Sequence, residues 1–221
     1  MSEALPPSED PAVPCPRCYK PAALCVCEGI TPIDNRITVL VLQHPQEQDV
    51  ELGTARLTAL HFKNAVFKIG LSWPSLGKAL GRNVDPKKWA VLYLGSAKTE
   101  GSQREIVVLN RKGTPAEDQD TALKDLEGVV LLDGTWSQAK ALWWRNAWML
   151  KTRRIALNPR RPSRYGKLRR EPRRDSVSTL EAAALLLSRL ENKPEIETAL
   201  TDSFEKLLTR YRAFRALSKA S

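Results

Sequence analysis

The stretch GVVLLDGTWSQAKALWW, residues 128–144, decides the fold. Residues 128–132 are apolar without alternation, and Asp133 closes the run before Gly134, Thr135 and Trp136 lead into helical spacing. A short apolar run of this kind suits a strand covered on both faces, as in a parallel sheet. Such a sheet carries helices in both outer layers, and ligands bind beyond the carboxyl ends of its strands. An acid that ends a strand beside an indole that opens a helix has two readings. One is a capped turn over packed tryptophans; the other is the floor of a site.

The pattern repeats outward from this stretch. RITVLVLQ (36–43), NAVFKIG (64–70), WAVLYLG (89–95) and RRIALN (153–158) read as further strands, with EIVVLN (105–110) a lesser one. Helical spacing marks 54–62, 75–80 and 137–148, and a short helix precedes residue 128. Two helices close the chain. Ser178 and Glu181 frame a capping box for the first, and an exposed helix start of this kind also binds carboxylates or phosphates. The second, Glu195 to about Ala216, carries the stripe Ile196, Leu200, Phe204, Leu207 and Leu208. The expectation is an α/β fold with a mostly parallel sheet, helices on both faces, and three strand ends at Asp133, Gly95-Ser96 and Asn158-Pro159. There is no internal repeat and no G-x-G-x-x-G or phosphate-loop motif.

Among the 221 residues, 42% are hydrophobic, which suits a globular chain with one substantial core. The start MSEALPPSEDPAVP lacks a basic, then apolar, leader, and runs such as Ala182 to Leu187 are too short to span a bilayer. A cytoplasmic protein with no membrane partner is expected. Four cysteines, Cys15, Cys18, Cys25 and Cys27, lie within 13 residues. Spaced C-x2-C and C-x-C, they predict a closed, structural zinc site rather than disulfides. The net charge of +10 is local: residues 151–174 hold 11 Lys or Arg against one acid, and 24 basic and 24 acidic residues remain elsewhere. A mid-chain basic block interrupted by apolar residues and Tyr165 is the footprint of a phosphate-rich partner, whereas a solvated tail would sit at an end.

Five motifs occur together and in order: the cysteines of 15–27, His44-Pro45-x-Glu47, Asp133-x-Thr135-Trp136, Pro162-Ser163-Arg164-Tyr165 and Ser178-Thr179-Leu180-Glu181-Ala182. As a set they resemble the DTW-domain proteins, and the likeness covers residues 15–191. The resemblance implies a tRNA-uridine aminocarboxypropyltransferase related to the SPOUT superfamily. In such an enzyme S-adenosylmethionine donates its 3-amino-3-carboxypropyl group to N3 of a uridine, and 5′-methylthioadenosine leaves. It also implies a SPOUT-like sheet with its C-terminal part threaded into a knot around the donor. The expected organisation is a disordered tail (1–14), a zinc knuckle (15–30) and a catalytic domain (31–221). Position 47 of tRNA is favoured over position 20, and the oligomeric state is left open, a monomer included.

The site residues follow from the same reasoning. Uridine N3–H is weakly acidic, so a positioned carboxylate can accept its proton. Asp133 is the candidate, as base or as orienting group, with Thr135 and Trp136 beside it. Selecting one of three carbons on the sulfonium is a positioning task. It falls to Leu94, Gly95, Ser96, Leu132, Asp133, Trp136 and Leu157, with Ser178 and Thr179 at a helix start. Trp136 stacks on adenine or on the target base, or is a core indole. RNA contacts are expected from His44, Glu47, Arg160, Arg161, Arg164, Tyr165, Lys167, Arg169, Arg170, Arg173 and Arg174. His44 and Glu47 read equally as a turn in which His44 bonds backbone and Glu47 caps. The segment LYLGSAKTE (92–100) departs from the family pattern, where many relatives carry a Pro-Ser-type loop. Two competitors stand beside this reading: a noncatalytic RNA-binding protein and a SPOUT-like methyltransferase.

Overall fold

The computed structural model describes residues 13–92, 104–110, 112–169 and 177–220. Six strands, β1 (Thr38–Gln43), β2 (Ala65–Ile69), β3 (Trp89–Leu92), β4 (Ile106–Leu109), β5 (Gly128–Asp133) and β6 (Arg153–Leu157), form one sheet in the order β2-β1-β5-β3-β6-β4. The first five strands of that order are parallel, and β4 runs antiparallel to β6 at one edge. The helices are α1 (Ala55–Leu60), α2 (Leu76–Leu80), α3 (Gln119–Lys124), α4 (Trp136–Arg145), α5 (Thr179–Leu190) and α6 (Pro194–Ala220).

Strand side chains alternate between faces, and the core divides accordingly. Val39, Val41, Val129 and Leu131 face a layer built from α1, α5 and α6. Leu40, Leu42, Val130 and Leu132 face α2, α4 and the turn after it. The stripe Ile196, Leu200, Phe204, Leu207 and Leu208 is buried against the first layer. Leu24, Val26 and Ile30, from the cysteine segment, join that same core, so the knuckle is packed into the body of the fold.

Two boundaries differ from the sequence expectation. The helix expected to reach Trp148 stops at Arg145, because the buried Asn146 leaves the helical conformation. Its amide donates to Leu142 O (2.7 Å) and Leu71 O (3.0 Å), its Oδ1 accepts from Trp73 N (2.8 Å), and Ala147–Lys151 re-form as a 3-10 turn. The last helix runs on to Ala220, and Pro194 is its first residue, where a missing N–H costs nothing.

Topology places the site. From β1 the chain turns to β2 on one side, and from β5 it passes beyond β3 to β6 on the other. The carboxyl ends of the neighbours β1 and β5 therefore flank the point where the winding reverses. Open parallel sheets bind their ligands there.

Candidate active site at the carboxyl ends of β1 and β5

Gln43 and Asp133 are paired in register at this point, each the last residue of its strand. Asp133 is 7% exposed. Its Oδ2 accepts from Gln43 Nε2 (2.9 Å) and its Oδ1 from Thr179 Oγ1 (2.6 Å). A carboxylate offers about four lone-pair sites, so two remain for a ligand. Thr179 is the first residue of α5, and its neighbour Ser178 caps that helix in the predicted box with Glu181. The structure thus brings Asp133, Ser178 and Thr179 together.

Thr135 and Trp136 sit differently. Thr135 is exposed and caps α4, its N–H donating to Gln138 Oε1 (2.6 Å) and its Oγ1 accepting from Gln138 N (3.4 Å). Gly134 is needed for this tight turn, since a Cβ there would lie 2.8 Å from Gln138 Cβ. Trp136 is half-buried at the start of α4, with Lys140 Nζ 5.9 Å from its ring centroid. Leu132 and Leu157 belong to the apolar layers on opposite faces of the sheet. Leu94, Gly95 and Ser96 lie outside the described residues, as do Arg170, Arg173 and Arg174.

The segment from His44 to Thr54 ties the site to its surroundings. His44 N donates to Asp133 O (3.0 Å), and its Nδ1 accepts from Gln46 N (3.3 Å), which is the turn reading of that histidine. Glu47 is buried and meets Arg169 Nη2 at 3.5 Å. Thr54 Oγ1 accepts from Leu180 N (3.4 Å), joining the segment to α5.

The basic segment folds back onto α5. Glu181 Oε2 accepts from Ser163 Oγ (2.7 Å) and Oε1 from Arg164 N (2.7 Å), while Arg164 pairs with Glu205. Tyr165 is 2% exposed, its hydroxyl donates to Leu52 O (2.7 Å) and its ring meets Phe204 edge-on. Buried apolar contact makes Tyr165 the anchor of the segment. Arg169 lies over the Tyr165 ring, half-buried, whereas Arg160, Arg161, Arg164 and Lys167 are exposed. A cavity of about 560 Å³ opens beside them, with Arg160, Arg161, Arg164 and Arg189 facing Glu105 and Glu197.

The four cysteine sulfurs lie within 4.8 Å of one another, the one such group of potential ligands among the described residues. A tetrahedron of Zn–S bonds of about 2.3 Å spaces its sulfurs about 3.8 Å apart, so the cluster fits a metal ion. Crowding shows in their acidity. A hydrogen bond from Cys27 is the main cause lowering the Cys18 thiol to about 5, while burial pushes Cys25 up to about 11.

Two site residues escape sequence reasoning. Gln43 has a faint signal, a polar residue closing an apolar strand just as Asp133 does. Lys20 has none: it is 7% exposed, and its Nζ donates to Glu51 O (2.6 Å). Burial lowers its pKa, and the charges of Cys18 and Asp133 work against that.

Three relatives similar to this chain share one name. "tRNA-uridine aminocarboxypropyltransferase 2" of Macaca fascicularis is 27% identical over 203 residues, covering 87% of this chain and 61% of the relative. Its counterpart in Drosophila melanogaster is 29% identical over 193 residues, covering 84% and 70%, and that of Mus musculus is 28% identical over 198 residues, covering 87% and 61%. The match therefore spans about three fifths of the mammalian relatives' length. No solved structure matches the chain significantly. The DTW domain model matches residues 12–212, the span that holds the cysteine cluster, Asp133, the basic segment and α5, and the chain belongs to the DTW domain family.

Proposed function

We propose that this protein transfers the 3-amino-3-carboxypropyl group of S-adenosylmethionine to N3 of a tRNA uridine, releasing 5′-methylthioadenosine. The observation that carries the reading is Asp133 at the winding reversal, held by Gln43 and Thr179 with acceptor capacity left over. The relatives' name supplies the reaction class. The donor is activated by its own sulfonium, so the chain's task is to orient it and to receive a proton. Asp133 takes the N3 proton or aligns the uridine, Thr179 and Gln43 fix the carboxylate, and the α5 N-terminus stabilises the donor's carboxylate. Trp136 stacks on adenine or the target base. The exposed Arg160, Arg161, Arg164 and Lys167 bind tRNA phosphates, joined by Arg170, Arg173 and Arg174.

The cysteine cluster holds structural zinc, and the functional division is a tail, the knuckle of residues 15–30 and a catalytic domain from residue 31. The sheet is SPOUT-like and its C-terminal part knotted, a reading supported by β3 lying between β5 and β6 in the sheet. Among the described residues no helix is long and apolar enough to cross a membrane, consistent with a cytoplasmic enzyme, and position 47 is the favoured uridine.

Incubation with tRNA and S-adenosylmethionine, followed by mass spectrometry of nucleosides and small products, tests this. Methylthioadenosine together with the modified uridine is expected. S-adenosylhomocysteine would replace the reading by methyl transfer, and tRNA binding without either product would replace it by a binding module. Metal analysis is expected to find about one zinc per chain, and a metal-free folded protein would remove the zinc assignment.

A further inference from the structure

Tyr19 follows Cys18 directly and stands in the left-handed backbone region, at φ 60°. That region is costly for a bulky side chain. Burial does not account for a tyrosine here, because it remains 60% exposed. Its backbone N–H is employed in the knuckle: Tyr19 N donates to Cys15 O (2.8 Å), and Cys15 N donates to the carbonyl of Lys20 (2.9 Å). Any residue would make those bonds, and glycine would make them with less strain. What the aromatic ring adds is a stack. The Arg56 guanidinium carbon lies 4.2 Å from the Tyr19 ring centroid and 4.5 Å from that of Phe67 on the edge strand β2. Tyr19 thereby carries a cation over its ring while most of the residue stays exposed.

The knuckle that carries the stack and the basic segment share an anchor. Lys20, the next residue, binds the carbonyl of Glu51, and Tyr165 of the basic segment binds the carbonyl of Leu52. Knuckle and basic segment thus dock on consecutive residues of one loop. A rigid ring backed by a cation has the makeup of a nucleobase stacking site: the ring offers a π-face to any base and the arginine supplies positive charge.

We propose that Tyr19, backed by Arg56, is a platform on which an unpaired nucleobase of the RNA substrate stacks, extending the RNA surface from the basic segment onto the zinc knuckle. This rests on the tRNA reading. The platform orients the RNA from outside the reacting centre, so its loss is felt in affinity rather than in the transfer step.

The test is tRNA affinity of the full chain, with metal content measured alongside. Tyr19→Ala is expected to weaken binding by about 5- to 150-fold, the range of one base–aromatic stack. Tyr19→Phe and Tyr19→Trp are expected to retain affinity, and the metal content of all three is expected to equal that of the wild type. Unchanged affinity of Tyr19→Ala, in a protein whose wild type binds tRNA, overturns the platform and leaves the tRNA reading standing. A wild type without tRNA affinity overturns both. If Tyr19→Ala fails to fold, photocrosslinking of the wild type to thiouridine-substituted tRNA decides instead. An adduct on the peptide containing Tyr19 supports the platform, and adducts confined to other peptides overturn it.

Discussion

At the scale of single residues, Asp133 separates the two readings of its turn. Asparagine keeps its shape, and the site can absorb the change: the Gln43 amide can flip and the Thr179 hydroxyl can exchange donor for acceptor. Asp133→Asn is therefore expected to fold normally while losing about 10²- to 10⁴-fold in turnover, the usual range for a general base, with donor and tRNA affinities little changed. Near-normal turnover would make the acid a scaffold residue only. A second residue governs acid stability. His61 is 2% exposed with Nε2 unpartnered, and burial lowers its pKa from 6.5 to about 4. Between those values the unfolded chain binds a proton that the folded chain refuses. Its contribution is complete above pH 6.5 and is lost as pH falls toward 4, on the order of 3 kcal/mol in all. Denaturant melts across this window are expected to show a flatter acid limb for His61→Gln than for the wild type.

At the scale of elements, β5 has one position that tolerates no side chain. A Cβ at Gly128 would lie 2.4 Å from the ring of Trp89, which is fully buried on the neighbouring strand β3. Ring and strand would both have to shift. Gly128→Ala is expected to destabilise the protein by about 1–3 kcal/mol or more, as overpacking does, and thermal unfolding would register it. A wild-type melting temperature would mean that the β3–β5 pairing is slack. The capping box of α5 shows the opposite economy. Glu181 serves its own helix through Ser178 N (2.9 Å) and also receives Ser163 and Arg164 of the basic segment. The STLE motif is a cap, as its spacing says, and also the latch of the basic segment, which spacing cannot say.

At the scale of the whole molecule, the excess charge sits in a segment anchored to the fold at several points. The basic segment is pinned by Tyr165, Glu181 and Glu205, leaving Arg161 and Lys167 exposed. Arg161→Glu with Lys167→Glu is expected to weaken tRNA binding and to flatten its salt dependence, while donor binding stays unchanged. Each lost phosphate contact removes about 0.9 from the slope of log affinity against log salt, measured by titration at several ionic strengths. An unaltered slope would move the RNA surface elsewhere.

The sequence by itself determined the alternation of strands and helices, the carboxyl-end position of Asp133, the capping of α5, the buried stripe of α6, the cysteine cluster and the location of the excess charge. Each is written in local spacing: apolar periodicity, a cap followed by an acid three residues on, four thiols in one short run. Only the tertiary structure decided which polar groups meet. Gln43 and Asp133 are 90 residues apart and become hydrogen-bonded neighbours because β5 inserts beside β1, an order no local pattern encodes. Tyr165 looks like a recognition residue in a row of arginines, yet packing on Phe204 makes it core. Burial and strand order are properties of contacts distant in the chain, and they alone turned a run of motifs into a site.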